Sequence, residues 1–206
     1  MLKRENLFLL IIGVLAAVIL IVLMFSAFGT SQRIKDQNPK IFASDPYLGN
    51  SKAKVTLVIF TDFECEFCQA EVQVLKNVLS TYQSTVRLVY KEYPLPTHQN
   101  GYRAAEIARC AQDQGKFWQM HDILFNNQDT LDKLDLDKIS KDAGIDVNKL
   151  KTCLDAKSAD TKIEQNIAEG QRLGVTETPT LFVNEKSLTG LNDEVSIESA
   201  IEDKLK

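Results

Sequence analysis

Hydrophobic and polar positions divide the chain into three stretches. From Leu7 to Phe28 no charge interrupts a run of 22 residues, LFLLIIGVLAAVILIVLMFSAF. That length suits a bilayer-crossing helix, which takes roughly 20 apolar residues at about 1.5 Å each. Residues 29–47 are polar, carry Pro39 and Pro46 and keep no period, which predicts a linker with a short strand near Lys40–Ala43. Residues 48–206 show the alternating patterns of a folded domain.

Within that domain, Lys54–Thr61 is β-branched and aromatic over the length of a buried strand. Val72, Leu75, Val78 and Leu79 then recur at helical spacing, predicting an amphipathic helix from Gln69 to about Tyr82. A second strand, Val86–Tyr93, completes a βαβ unit whose crossover is expected to be right-handed. Residues 98–173 carry only helical pattern, with Gly115, Gly144 and Gly174 at expected helix ends. Strand character returns at Thr178–Asn184, followed by an edge strand near Lys186–Leu188 and a last helix over Glu194–Leu205. The fold class is therefore α/β, two sheet-forming halves around an all-helical insertion.

Charge refines this picture. The formal net charge is −4, and the residues after Lys3, Arg4 and Glu5 carry about −5, which offers no electrostatic ground for binding nucleic acid. Lys3 and Arg4 ahead of the apolar run favour a cytoplasmic N-terminus, so the domain is expected outside the cytoplasm on a single-span anchor, residues 1–28. The competing reading is a cleaved signal peptide, whose apolar core ordinarily runs about 7–15 residues.

The candidate chemistry sits in the cysteines. Cys65 and Cys68 stand two residues apart between a predicted buried strand and a predicted helix. Free backbone N–H groups and the positive helix end there stabilise a thiolate at Cys65, and Cys68, one turn on, faces it. The pattern predicts thiolate attack on a disulfide through a mixed disulfide; a passive disulfide or half a zinc site are the plainer alternatives. The other two cysteines, Cys110 and Cys153, are read as a structural disulfide closing a loop of 44 residues, worth about 4 kcal/mol in the chain-entropy view, or else as two buried thiols. Pro179 heads an apolar strand, a place where a missing ladder donor is tolerated. A cis bond at Thr178–Pro179 exposes the Thr178 backbone to an extended peptide; a trans proline at a strand edge is the alternative. His98 and His121 are too few for a metal or acid–base assignment, and His98 is read as a cap after a Pro-Leu-Pro turn. Trp118, with Phe117 and Phe125, is read as core of the insertion.

The segments Phe60-Thr-Asp-Phe-Glu-Cys-Glu-Phe-Cys68 and Gly174-Val-Thr-Glu-Thr-Pro-Thr-Leu-Phe-Val-Asn184, with the helical stretch between them, resemble the DsbA-like branch of the thioredoxin superfamily over about residues 48–206. The resemblance implies a thioredoxin-like fold with a helical insertion at about 98–173, a nucleophile at Cys65, a resolving cysteine at Cys68, and substrate contact at Thr178 and Pro179. It implies an oxidoreductase that forms disulfides in exported, cysteine-bearing proteins and is re-oxidised by a membrane partner of the DsbB or vitamin K epoxide reductase type. No bound cofactor is required, since the sulfurs carry the electrons, and no metal site is expected. The residues between the cysteines, Glu66 and Phe67, depart from many relatives. The Glu66 carboxylate is expected to raise the Cys65 pKa and make a milder oxidant, which leaves a reductase or isomerase as the rival function. A thioredoxin-fold metal carrier is the more remote rival. Asp62 and Glu64 are candidate proton acceptors for Cys68.

Overall fold

The computed structural model describes residues 13–24 and 37–206. Residues 13–24 are helical and exposed. Among the described residues no helix is long and apolar enough to cross a membrane, and the predicted span, residues 7–28, lies partly outside them. Asn38–Lys206 forms a compact unit.

The sheet of that unit has five strands in the order β1 (Tyr47–Gly49), β3 (Val86–Glu92), β2 (Val55–Thr61), β4 (Thr180–Val183) and β5 (Lys186–Thr189). Strands β2 and β3 run parallel, joined by helix α1 (Glu66–Thr81), while β1, β4 and β5 pair antiparallel to their neighbours. The uninterrupted apolar character of β2 reflects burial on both faces. Val55, Leu57 and Ile59 join the core beneath α1 and the last helix, α7 (Glu194–Leu205); Val58 and Phe60 join a smaller core with Val89, Tyr93, Val175 and Phe182.

Between β3 and β4 lie α2 (Gly101–Gln112), α3 (Phe117–Asn126), a 3-10 segment (Gln128–Lys133), α4 (Leu136–Ala143), α5 (Val147–Asp155) and α6 (Asp160–Leu173). Asp135 and Asp146 accept backbone N–H bonds at the starts of α4 and α5, and Gly144 and Gly174 take left-handed conformations that end α4 and α6. Cys110 on α2 and Cys153 on α5 form a disulfide with a Cα separation of 5.8 Å. Helix α6 closes the helical block by returning to the sheet. A Cβ added to its Gly170 would stand 2.4 Å from the Tyr93 ring, so glycine permits this close approach.

The predicted strand at Lys40–Ala43 is absent; the strand forms at Tyr47–Gly49 instead. The Asp45 carboxylate accepts from the Phe42 N–H and turns the chain, while the Lys40 N–H is taken by Glu169 of α6. Residues 38–46, whose polarity reads as linker, are thus tied to the domain. Their anchor is a buried ionic cluster that no periodicity reveals. The Lys91 ammonium contacts Asp45 at 2.6 Å and Asn166 at 3.0 Å. Arg109 contacts Glu92 at 2.6 Å, and Asn166 bridges to the same Glu92 oxygen at 2.8 Å. Lys91 also lies 4.4 Å from the centre of the Phe42 ring. Two cations face two carboxylates in a region closed to water. Burial depresses the Lys91 pKa, and the neighbouring carboxylates oppose that shift.

Removing one member of such a cluster strands a buried charge. Arg109→Met is expected to destabilise the domain by about 3–5 kcal/mol. Urea unfolding measures this, and a loss under about 1 kcal/mol, the scale of an exposed pair, contradicts the assignment.

Candidate active site

The C-terminal end of β2 delivers the chain into Asp62, Phe63 and Glu64 and then into α1, whose N-cap position is Cys65 itself. The helix therefore begins at Glu66, three residues before the predicted Gln69, because the apolar stripe marks only where the helix packs. No side chain caps this end, so its first N–H groups are free to face the Cys65 sulfur.

Both sulfurs are reduced and buried. The Cys65 thiol is brought down from 9.0 to about 6, chiefly by the hydrogen bond from the Cys68 thiol. Thr178 and the backbone N–H groups of Phe67 and Cys68 act in the same direction, against burial. Cys68 moves the opposite way: burial comes first, then its contact with Cys65, and together they hold its thiol well above 9.0. The pair is thus split into a ready nucleophile and a reluctant one. Its two members are positioned by a single helical turn.

Thr178 reaches this site from the other end of the domain sequence. Its carbonyl oxygen lies 3.3 Å from Cys65 Sγ and accepts from the thiol. The Thr178–Pro179 peptide bond is cis. The Thr178 side chain is buried beside the pair and favours the Cys65 thiolate. The structure thus brings Cys65, Cys68, Thr178 and Pro179 together, as the family resemblance implies. The Cys110–Cys153 disulfide is separate from the redox pair.

Three expectations need correction. Glu66 is exposed and is not among the groups that move Cys65. Water screens its carboxylate, while the helix end and Cys68 act at contact distance, so the Cys65 pKa falls where Glu66 was expected to raise it. Phe67 is likewise exposed, at 53%, and contributes through its backbone N–H. Second, Asp62 does not turn its carboxylate to Cys68. It accepts from the Glu64 N–H at 2.9 Å and the Leu95 N–H at 2.8 Å and pairs with His98 Nδ1 at 2.7 Å, leaving its backbone N–H, 3.5 Å away, to face the Cys68 sulfur. Glu64 is engaged by the Asn100 N–H. Third, His98 is a partner of the Asp62 carboxylate and not a simple cap. Gly101 makes room for this arrangement, since a Cβ there would meet Asp62 Oδ1 at 2.3 Å.

Behind the sulfur pair lies a cavity of about 90 Å³ between α1, the sheet and α3. Cys68, Glu71, Tyr90, Trp118 and His121 are among the residues that line it. Trp118, read from sequence as insertion core, is half-buried on its wall. Glu71 escaped the pattern reading although a signal was present. It falls in phase with Cys68, Leu75 and Val78 on the buried stripe of α1, where a carboxylate is out of place. Among the described residues no cluster of three or more His, Cys, Asp or Glu side chains is arranged to hold a metal ion.

The thioredoxin family model matches residues 43–203. Among solved structures, DsbA2 of Pseudomonas aeruginosa superposes with a TM-score of 0.67 at 27% identity, over 79% of this chain and 96% of that one. A thioredoxin-like oxidoreductase from Silicibacter pomeroyi DSS-3 gives 0.67 at 25%, over 79% and 92%. BdbD from Bacillus subtilis, in its oxidised form, gives 0.72 at 24%, over 82% and 96%, a likeness of fold. Among curated relatives, the Na(+)/H(+) antiporter NhaA 3 of Salinispora tropica is 35% identical over 68% of this chain. The chain spans only 22% of that relative's length.

A thiol pKa lowered by folding links stability to pH. For the reduced protein, the stability that the Cys65 thiolate contributes is fully present above pH 9.0 and is lost as the pH falls to about 6. The change is about 1.4 kcal/mol per pH unit inside that window. The oxidised protein has no Cys65 thiol to titrate. Chemical denaturation of both forms at several pH values is expected to show the slope only in the reduced form, and Thr178→Val is expected to narrow the window by raising the Cys65 pKa. Equal pH slopes for the two redox forms contradict the pKa assignment.

Proposed function

Since the chain belongs to the thioredoxin family as a thiol–disulfide oxidoreductase of the DsbA type, we propose that it is an oxidase, donating the Cys65–Cys68 disulfide to cysteine-bearing exported proteins. The observation that carries this reading is the lowered pKa of Cys65. A stabilised Cys65 thiolate is a good leaving group, so it stabilises the dithiol over the disulfide and makes the oxidised form the stronger oxidant. The exchange has two steps. A substrate thiolate attacks Cys65 Sγ, forms a mixed disulfide and releases Cys68. A second substrate thiolate then attacks the substrate sulfur, leaves with a disulfide and returns Cys65 as thiolate. Two electrons pass from the substrate dithiol to the enzyme.

Thr178 and Pro179 form the surface on which an extended substrate segment lies, with the Thr178 backbone beside the reacting sulfur. The Cys110–Cys153 disulfide suits an oxidising compartment. We place the domain on the outer side of a membrane, tethered by the apolar run of residues 7–28, and assign its re-oxidation to a membrane partner of the DsbB or vitamin K epoxide reductase type.

The reduction potential of the pair decides the direction. A value toward about −120 mV supports the oxidase, and one at about −270 mV, that of thioredoxin, refutes it in favour of a reductase. In a separate experiment, Cys68→Ser is expected to retain substrates as mixed disulfides on Cys65. Recovery of no such adducts from intact cells contradicts the exchange mechanism.

A further inference from the structure

Opening the Cys65–Cys68 disulfide expels Cys68 as a thiolate, and this residue is only 1% exposed. An anion formed away from water needs a hydrogen-bond donor from the protein. The structure supplies one from the backbone, since the Asp62 N–H points at Cys68 Sγ from 3.5 Å. Thr61 is the last residue of β2, so the Asp62 N–H falls just past the sheet ladder and is left to the sulfur. Asp62 also reaches the other cysteine, whose N–H bonds to the Asp62 carbonyl at 3.2 Å.

The value of such a donor depends on how firmly its peptide unit is held. The Asp62 side chain is buried and accepts from three sides. The Glu64 N–H at 2.9 Å closes a tight turn within its own loop. The Leu95 N–H at 2.8 Å comes from between Pro94 and Pro96, which have no N–H and fix the backbone on either side. His98 Nδ1 stands 2.7 Å from Oδ2. Gly101 closes the space from the other direction, since a Cβ there would lie 2.3 Å from Oδ1. Of these groups His98 is the one side chain, and it is 26% exposed.

We infer that His98 is a positioning residue for disulfide opening: its imidazole fixes the Asp62 carboxylate, and the Asp62 N–H so fixed stabilises Cys68 as the leaving thiolate. The arrangement does for sulfur what an oxyanion hole does for oxygen, holding a donor ready where charge develops. A bond to an ionised acceptor is roughly twice as strong as one to a neutral acceptor, so the N–H acts more on the departing thiolate than on the thiol that follows. It favours the Cys68 thiolate against the burial that opposes it.

The step balances. The substrate thiolate forms a bond to Cys65 Sγ, the Cys65–Cys68 bond breaks, and Cys68 departs with the electron pair while the Asp62 N–H donates to it and keeps its own proton. Cys68 then takes a proton from solvent, because its thiol form is favoured. A contact stronger during the exchange than in either the disulfide or the dithiol changes the rate in both directions and leaves the equilibrium where it was.

This inference rests on the exchange mechanism above, and the experiment separates the two. Oxidised full-length protein is mixed with dithiothreitol, and the rate of disulfide opening is read by alkylation of quenched samples. Reduced protein is mixed with a nitrobenzoate disulfide reagent, where the first release of coloured thiol reports attack by Cys65 and the second reports attack by Cys68. His98→Leu removes the donor and keeps water from replacing it. Opening is expected to slow about fivefold or more, and the second release by a similar factor. The first release and the reduction potential are expected to match the wild type. His98→Asn, whose amide can stand where Nδ1 stands, is expected to restore both rates. Gly101→Ala, which crowds the carboxylate from the other side, is expected to slow the same two steps. Unchanged opening in His98→Leu overturns the inference. So does an equal slowing of the first release or a shifted potential, the mark of a merely loosened site. If His98→Leu does not fold, unchanged opening in Gly101→Ala overturns it. A wild-type disulfide that opens no faster than that of an unstructured peptide refutes the exchange mechanism itself.

Discussion

A strand buried on both faces ends where an uncapped helix begins, and this junction sets the chemistry of the domain. Burial of β2 between two cores fixes the position of Thr61 and Asp62, and α1 must start within a few residues if Leu75 and Val78 are to reach the same core. Cys65 is thereby held where free N–H groups converge and Cys68 is drawn into the interior, one turn deeper. The hydrogen bond between the two thiols lowers Cys65, with Thr178 and the helix-end N–H groups adding to it, and burial raises Cys68, so two chemically identical thiols shift in opposite directions.

The polar groups buried around this junction act as struts. Asp62 ties the start of the loop after β2 to the Leu95 backbone N–H and to His98. The Lys91, Arg109, Asp45 and Glu92 cluster fastens the N-terminal segment, β3 and α2 to one another, with Asn166 adding α6. Such clusters contribute geometry more than net stability, because desolvation offsets much of the Coulomb attraction. At the active site the Thr178 segment lies against Cys65 on one side and a cavity lies against Cys68 on the other.

The helical insertion is braced by its own disulfide and supplies α3 as the outer wall of that cavity. Family membership and the redox pair define an oxidoreductase, while the direction of electron flow depends on how strongly this environment favours one thiolate over the other. Local groups set that balance here, and the exposed Glu66 between the cysteines has little leverage beside a helix end and a neighbouring thiol.

Much was legible in the chain itself. Continuous apolar runs located β2, β3 and β4, because these strands are buried on both faces, and 3.6-residue periods located most helices, because burial of one face imposes that period. Two cysteines at a strand–helix boundary announced the redox pair, since their spacing and their local backbone are both encoded within a few residues. Only tertiary structure decided what surrounds the pair. Thr178 lies 113 residues from Cys65 in sequence. Lys91 meets Asp45 across 46 residues, and Asp62 turns to His98 across 36. Glu71 is held by Asn192 across 121 residues. Electrostatics at contact distance depends on which side chains are neighbours in space and on whether water screens them, and neither is written in local periodicity. The sequence thus determined that two sulfurs share one helical turn at the end of a strand, because that placement is local; the tertiary structure determined how deeply each sulfur is buried and which distant groups touch it.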